Sequence, residues 1–335
     1  MPIDDLVSVV IPTLRGEHTI EEAVQSALNQ THGAVEVLVV LDGPGEGVRQ
    51  ALSATSDPRL RIVEADGPSG GPAAPRNLGV SISNGGWVAL LDDDDVWVRD
   101  KLQAQLTVAH AQRAELVYSR ATVDEVGVFS DFHSRWAPHL DSLPQGDVLG
   151  RSGVGAVAIP TSSVLVRRHL LREAGGFRTN LGTIDDYDMW LRLALRGARF
   201  AAVDRRLYRY RFGEGGVSHR DPHRERIEMR VRMWRQLLRD FPERESLLVE
   251  ALRQEEQQLA EIYLRGALSC GEPRGQRLRR VSSALRMAPS FRTAHVLASL
   301  LKDRAVARDP GGTSHDQARE ASIDGRVLPA SPDGE

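Results

Sequence analysis

Four consecutive aspartates, Asp92–Asp95, follow directly on the apolar run Trp87-Val88-Ala89-Leu90-Leu91. Neighbouring carboxylates repel one another, and at the end of a buried strand they are tolerable chiefly where something positive shares the site. A divalent cation meets that need. Mg²⁺ or Mn²⁺, hard and oxygen-seeking, takes one or two protein carboxylates and completes its shell with water and substrate phosphates. On an extended segment Asp92 and Asp94 point to the same side, which makes them the natural pair. The competing reading is a solvated acidic turn that caps the next helix.

A second acidic cluster, Asp185-Asp186-Tyr187-Asp188, precedes Met189-Trp190-Leu191-Arg192. Aspartates at a helix start cap exposed amides and suit the helix dipole. The chemical alternative is that one of them is a general base, taking a proton from a hydroxyl as it attacks. Between the clusters, the glycine- and proline-rich loop 67–77 lets backbone and Arg76 approach phosphate or a base, or else is a plain surface connection. Gly43-Pro44-Gly45-Glu46-Gly47 lacks the G-x-G-x-x-G spacing of a dinucleotide fingerprint. His18, His32 and His219 have no metal-ligand spacing with a neighbour, His219 alone being kept as a candidate for a site role, and the single cysteine, Cys270, is a poor nucleophile candidate.

These residues need a scaffold. Leu6–Pro12, Val35–Leu41, Leu60–Glu64 and Trp87–Leu91 read as short buried strands, and helical spacing covers Thr19–Gln30, 46–54, 76–83 and 100–113. Strands alternating with helices imply an α/β fold, a mostly parallel mixed sheet flanked by helices. In such sheets ligands sit beyond the carboxyl ends of the strands, which points to Pro12–Leu14, Asp42–Gly43 and Asp92–Asp95. The stretch 114–165 reads as a sheet extension with loops, and Asp186–Arg196 as a helix closed by Gly197. The expected division is a domain at 1–220, a helical C-terminal region at 221–306 broken at Pro242 and at Gly271-Glu272-Pro273, and a Gly/Ser/Asp/Pro-rich disordered tail at 307–335.

Bulk properties narrow the function. The 335 residues carry a formal net charge of -3, so no nucleic-acid partner is called for. No run reaches about 18 apolar residues, the N-terminus lacks a basic leader and apolar stretch, and one cysteine allows no disulfide framework. A cytoplasmic protein, at most peripheral at a membrane, is expected. The arginines of 222–306 are read as solvated helix faces, with anionic lipid or a partner subunit as the alternative.

Across about residues 6–212 the chain resembles the inverting family-two glycosyltransferases, with their A-type nucleotide-diphospho-sugar transferase fold. Val7-Ser8-Val9-Val10-Ile11-Pro12-Thr13 and Ala23–Thr31 resemble the first strand and helix of that family, and Val39–Gly43 the strand whose aspartate meets the base. Pro75–Gly79 resembles the loop whose arginine lies near the nucleotide, and Leu90–Trp97 the strand and D-x-D metal segment. Gly175-Gly176-Phe177 through Arg192 resembles the acceptor-side region with the catalytic base.

The resemblance implies that Pro12, Thr13, Asp42, Arg76 and Asp93 bind the nucleotide of a donor of UDP, GDP or TDP type. It further implies that Asp94 holds Mn²⁺ or Mg²⁺ with Asp92 or Asp93 assisting, and that Asp186 is the base toward a hydroxyl-bearing acceptor. The chain departs from the family pattern at Leu14-Arg15, where an aromatic residue and asparagine are usual, and at Pro75 and Arg211, where a small residue and histidine are usual. A sugar-nucleotide-making nucleotidyltransferase is the second enzymatic reading, but Pro12-Thr13-Leu14-Arg15-Gly16 supplies few of the basic and glycine residues it needs. A non-catalytic binding module is the third; it would be expected to lose Asp94 or Asp186.

Overall fold

The computed structural model describes residues 5–124, 159–211, 223–268, 274–289 and 294. His219, Cys270, Gly271-Glu272-Pro273, the tail at 307–335 and most of the loop segment at 114–165 lie outside the described residues. In chain order the elements are β1 (Val7–Thr13), α1 (Ile20–Leu28), β2 (Val35–Leu41), α2 (Glu46–Ala51), β3 (Leu60–Glu64), α3 (Ala73–Ile82), β4 (Trp87–Leu90), β5 (Val96–Trp97) and α4 (Lys101–Gln112). Next come β6 (Leu116–Asp124), β7 (Leu165–Arg167), α5 (Arg168–Glu173), α6 (Asp185–Leu195), β8 (Phe200–Arg211), α7 (His223–Asp240), α8 (Glu245–Leu268) and α9 (Arg274–Met287).

The eight strands form one mixed sheet in the order β3-β2-β1-β4-β7-β6-β8-β5. β1, β2, β3 and β4 are parallel; β7 runs antiparallel to both β4 and β6, and β6 and β8 are again parallel. The first strand is buried along its whole length because it packs on both faces. Val7, Val9 and Ile11 meet α1, α2 and α4 on one side, while Val10 faces α3, α5 and α6 on the other. Pro12 is tolerated here because the β4 ladder ends at Val10↔Leu90, so only one neighbour is present at its level.

Two local expectations are corrected. The helix expected at 76–83 begins at Ala73, with the Arg76 N–H already donating to Pro72 O at 3.0 Å. Pro75 therefore sits inside the first turn, where a missing N–H leaves no bond unmade. Asp92–Asp95 is not an extended segment but a turn, closed by the Asp95 N–H on Asp92 O at 3.1 Å. Alternation of side chains no longer applies there, and the carboxylates fan out over different partners.

The face of α6 opposite the sheet, with Leu191 and Leu195, packs with Leu181 and Ile184 on Met233, Trp234, Leu237 and Phe241 of the α7 end and on Leu248 and Ala251 of α8. The break expected at Pro242 falls between α7 and α8, and Gly197, at φ +84°, closes α6 in the left-handed conformation. Among the described residues, no helix is long and apolar enough to cross a membrane.

Candidate active site

The carboxyl ends of the central strands converge. The Asp42 N–H donates to Thr13 O at 2.8 Å, and the Leu91 N–H to Val10 O at 3.1 Å, so β2, β1 and β4 deliver Asp42, Thr13 and the aspartate turn to one edge. Asp42 is buried, and its Oδ1 accepts the Ser69 N–H at 3.0 Å, which folds the Gly/Pro-rich loop back over the end of β2. Thr13 Oγ1 accepts the Gly16 N–H at 3.2 Å and also hydrogen-bonds Asp93.

Arg76 ties the two acidic clusters together. Only 4% exposed, it donates through Nη1 to Asp185 Oδ2 at 2.8 Å and through Nη2 to Asp92 Oδ1 at 2.8 Å, with its guanidinium 5.8 Å from the centre of the Phe177 ring. Burial acts against its charge, but Asp185 and Asp92 outweigh burial and hold its pKa above the ordinary value. Asp92 and Asp185 are thereby brought to opposite ends of one guanidinium.

The second cluster divides its work. The N-cap position of α6 is Ile184, which offers no side-chain cap, so the aspartates stand inside the first turn, where they suit the helix dipole. Asp185 and Asp186 take first-turn amides there, as the capping reading expects in part. Asp185 goes to Arg76. Asp188, fully buried, accepts from Arg178 Nη1 at 2.7 Å and Arg192 Nε at 2.8 Å, and Arg192 in turn donates to the carbonyls of Ala174 and Gly176. Asn77 completes the clamp, exchanging hydrogen bonds with the Phe177 backbone at 2.7 and 2.8 Å. Asp186 is half-buried, and its Oδ1 accepts the Tyr187 N–H at 2.7 Å. Burial and the charge of Asp185 push its pKa up to about 7 against the pull of Arg76.

The first cluster is short of positive charge. Burial, aided by Asp92, lifts Asp93 to about 6 despite the Thr13 hydroxyl, and burial with Asp92 and Asp93 lifts Asp94 to about 7. Asp95 is driven well above the carboxylate range by burial, Asp94 and Asp92; its Oδ1 takes the Arg211 N–H at 3.1 Å while its buried Oδ2 has no partner. The Arg211 guanidinium is drawn away to Glu22 on α1. No ion pair reaches Asp94 among the described residues, nor do three His, Cys, Asp or Glu side chains there form an all-protein metal cage. An orphaned carboxylate oxygen beside crowded carboxyls suits a hard divalent cation that takes one or two protein ligands and fills its shell elsewhere.

Several contributors were not anticipated from the sequence: Thr161, Ser162, Arg178 and Lys101. None lies in an acidic or glycine-rich motif, and only Arg192, at i+4 from Asp188, carried a local signal of its pairing.

Known proteins agree with this architecture. Residues 8–173, from β1 to the end of α5, match glycosyl transferase family 2. The Escherichia coli UDP-Glc:alpha-D-GlcNAc-diphosphoundecaprenol beta-1,3-glucosyltransferase WfgD is 26% identical over 64% of this chain and 80% of its own length. The putative teichuronic acid biosynthesis glycosyltransferase TuaG of Bacillus subtilis is 29% identical over 64% of this chain and 81% of its own. The match spans just 35% of an uncharacterized glycosyltransferase of Rickettsia felis, at 26% identity over 66% of this chain. Among solved structures, S. aureus TarS 1-349 in complex with UDP-GlcNAc superposes with a TM-score of 0.58 at 19% identity, covering 89% of this chain and 87% of that one. A Pyrobaculum calidifontis mannosyltransferase in complex with GDP-Man and Mn²⁺ gives 0.57 at 21%, covering 91% and 88%. With the sheet, the strand-end aspartates and the family match in agreement, the chain belongs to the family-two glycosyltransferases.

Proposed function

We propose that this chain transfers a sugar from a nucleotide diphosphate donor to an acceptor hydroxyl, with inversion at the anomeric carbon. The observation that carries the reading is Arg76 bonded at 2.8 Å to Asp92 on one side and to Asp185 on the other, which draws a cation-poor carboxylate turn and a raised-pKa aspartate on α6 to the same edge of the sheet. Donor and acceptor chemistry need that proximity.

In this reading Pro12, Thr13, Asp42, Arg76 and Asp93 line the nucleotide side, with Asp42 at the base edge. Asp94, with Asp92 assisting, holds Mn²⁺ or Mg²⁺, which when bound supplies positive charge against the diphosphate oxygens. Asp186 accepts the acceptor proton as the hydroxyl oxygen attacks the anomeric carbon from the face opposite the leaving diphosphate; one C–O bond forms as the other breaks, and configuration inverts. A pKa near 7 suits that task, since about half of the carboxylate is ionised at neutral pH and the ionised form is basic enough to take a proton. The donor-bound neighbours support a UDP- or GDP-sugar, and a nucleotide-sugar substrate with a single cysteine supports a cytoplasmic location.

A panel of nucleotide sugars incubated with Mn²⁺ tests the reading. Release of nucleoside diphosphate, raised by a hydroxyl-bearing acceptor, is the expected result. Pyrophosphate formed from nucleoside triphosphate would replace it with a nucleotidyltransferase, and donor binding without turnover by a binding module.

A further inference from the structure

The turn Thr161–Ser163, immediately before β7, is wholly buried yet made of hydroxyl residues. Thr161 Oγ1 accepts from Arg76 Nη2 at 3.1 Å and donates to Asp92 Oδ2 at 3.2 Å. Ser162 Oγ accepts the Asp92 N–H at 3.0 Å. Behind them the turn is locked from the core: Ser162 O accepts Trp97 Nε1 at 2.9 Å, and Ser163 O accepts Gln105 Nε2 at 2.7 Å. Gln105 is held in turn by Val117 O and by Lys101, whose ammonium lies 4.0 Å from the centre of the Trp97 ring. Buried polar side chains in such numbers persist when each finds a partner, and a satisfied network fixes one arrangement.

Without Thr161, Asp92 would meet Arg76 through one oxygen and its carboxyl could swing. With it, both Asp92 oxygens are engaged and the Arg76 fork has three fixed acceptors. Because Nη1 of the same guanidinium holds Asp185, any swing of Asp92 is felt in the first turn of α6, beside Asp186.

We propose that Thr161 is a positioning residue: its hydroxyl, set between Arg76 and Asp92, holds the donor-side aspartates and the base-bearing turn of α6 in one mutual arrangement. The inference rests on the transferase reading of Asp94 and Asp186. The side chain touches no reacting atom, and its contribution is geometric.

Kinetics of Thr161→Val and Thr161→Ser beside wild type test it. Valine keeps the shape and removes the hydroxyl; its kcat is expected to fall about 10–100-fold while donor KM stays within about threefold, because slight misplacement of reacting groups is felt in turnover more than in uniform binding. Serine should restore most of kcat. An active wild type with an unaffected Thr161→Val, or a serine variant as impaired as the valine, overturns the positioning role alone. A wild type that turns over no donor overturns the transferase reading and this role with it. Melting temperatures decide whether the contact itself exists: in a cycle of Thr161→Val, Asp92→Asn and the double variant, the combined shift should be smaller than the sum of the single shifts, and additive shifts would overturn the proposal whatever the kinetics.

Discussion

Asp92–Asp95 at the end of β4 and Asp185–Asp188 at the start of α6 hold the same kind of charge, and the fold provides for them differently. On α6 the chain brings its own cations: Arg76 to Asp185, Arg178 and Arg192 to Asp188, leaving Asp186 half-buried beside them. At the β4 turn, Arg76 reaches Asp92 alone, and Asp93, Asp94 and Asp95 are left largely to one another. An acidic cluster neutralised from within holds a helix in place. One left short of cations keeps its carboxyl groups crowded and above the ordinary carboxylate range.

The largest expected effect is on turnover. Asp94→Asn and Asp186→Asn should each lower kcat by about 10²–10⁴, the range for losing one electrostatic or acid–base group. The two clusters part company in stability. At pH 8 without divalent cation, Asp94→Asn should raise the melting temperature, since it removes a carboxylate whose charge burial and its neighbours disfavour. Asp188→Ala should do the reverse, by about 3–5 kcal/mol in denaturant unfolding, because it leaves the buried Arg192 unpaired. A loss of stability in the first, or none in the second, would break the contrast between the two clusters.

A smaller effect belongs to Gly16. A Cβ there would lie 2.3 Å from Asp93 Oδ2 and 2.7 Å from Thr13 Oγ1, so Gly16→Ala must displace one of them. It should destabilise by about 1–3 kcal/mol, the usual overpacking range, and weaken donor binding in titration. The smallest is a pH effect. Asp93 at about 6 and Asp94 at about 7 stand above the unfolded carboxylate at 3.8, so the folded state holds more protons across that window. The stability they contribute is therefore full at low pH, falls as pH rises from about 4 to 7, and levels off above. A cation binding the ionised turn offsets the loss by mass action. Mn²⁺ should then raise the melting temperature more at pH 8 than at pH 5; an equal shift at both would tell against the turn as its site.

Much of the frame was legible. β2 has the bounds that its β-branched run implies, and β1, β4 and α1 agree within a residue or two, because both faces of the central strands are buried and the apolar signal is continuous; β3, a half-exposed edge strand, also has the expected bounds. β8 was not read as a strand. Its Asp204–Arg206 segment is exposed and arginines recur along it, so no apolar pattern marks its full length. β5, two residues long, exists as a strand only because β8 lies beside it. Lys101, a charged residue at the start of α4, is fully buried over Trp97, which no local pattern signals.

By itself the sequence determined which residue types were on hand and where they fell along the strands: hydrophobic period sets the local element, and an element's end sets where its polar neighbours emerge. What the tertiary structure alone decided is which charges meet. Arg76 finds Asp185 across 109 positions and Thr161 across 85, and nothing in either local stretch encodes those partners. Electrostatic pairing depends on distance in space, and chain spacing fixes that distance only within a helix or strand.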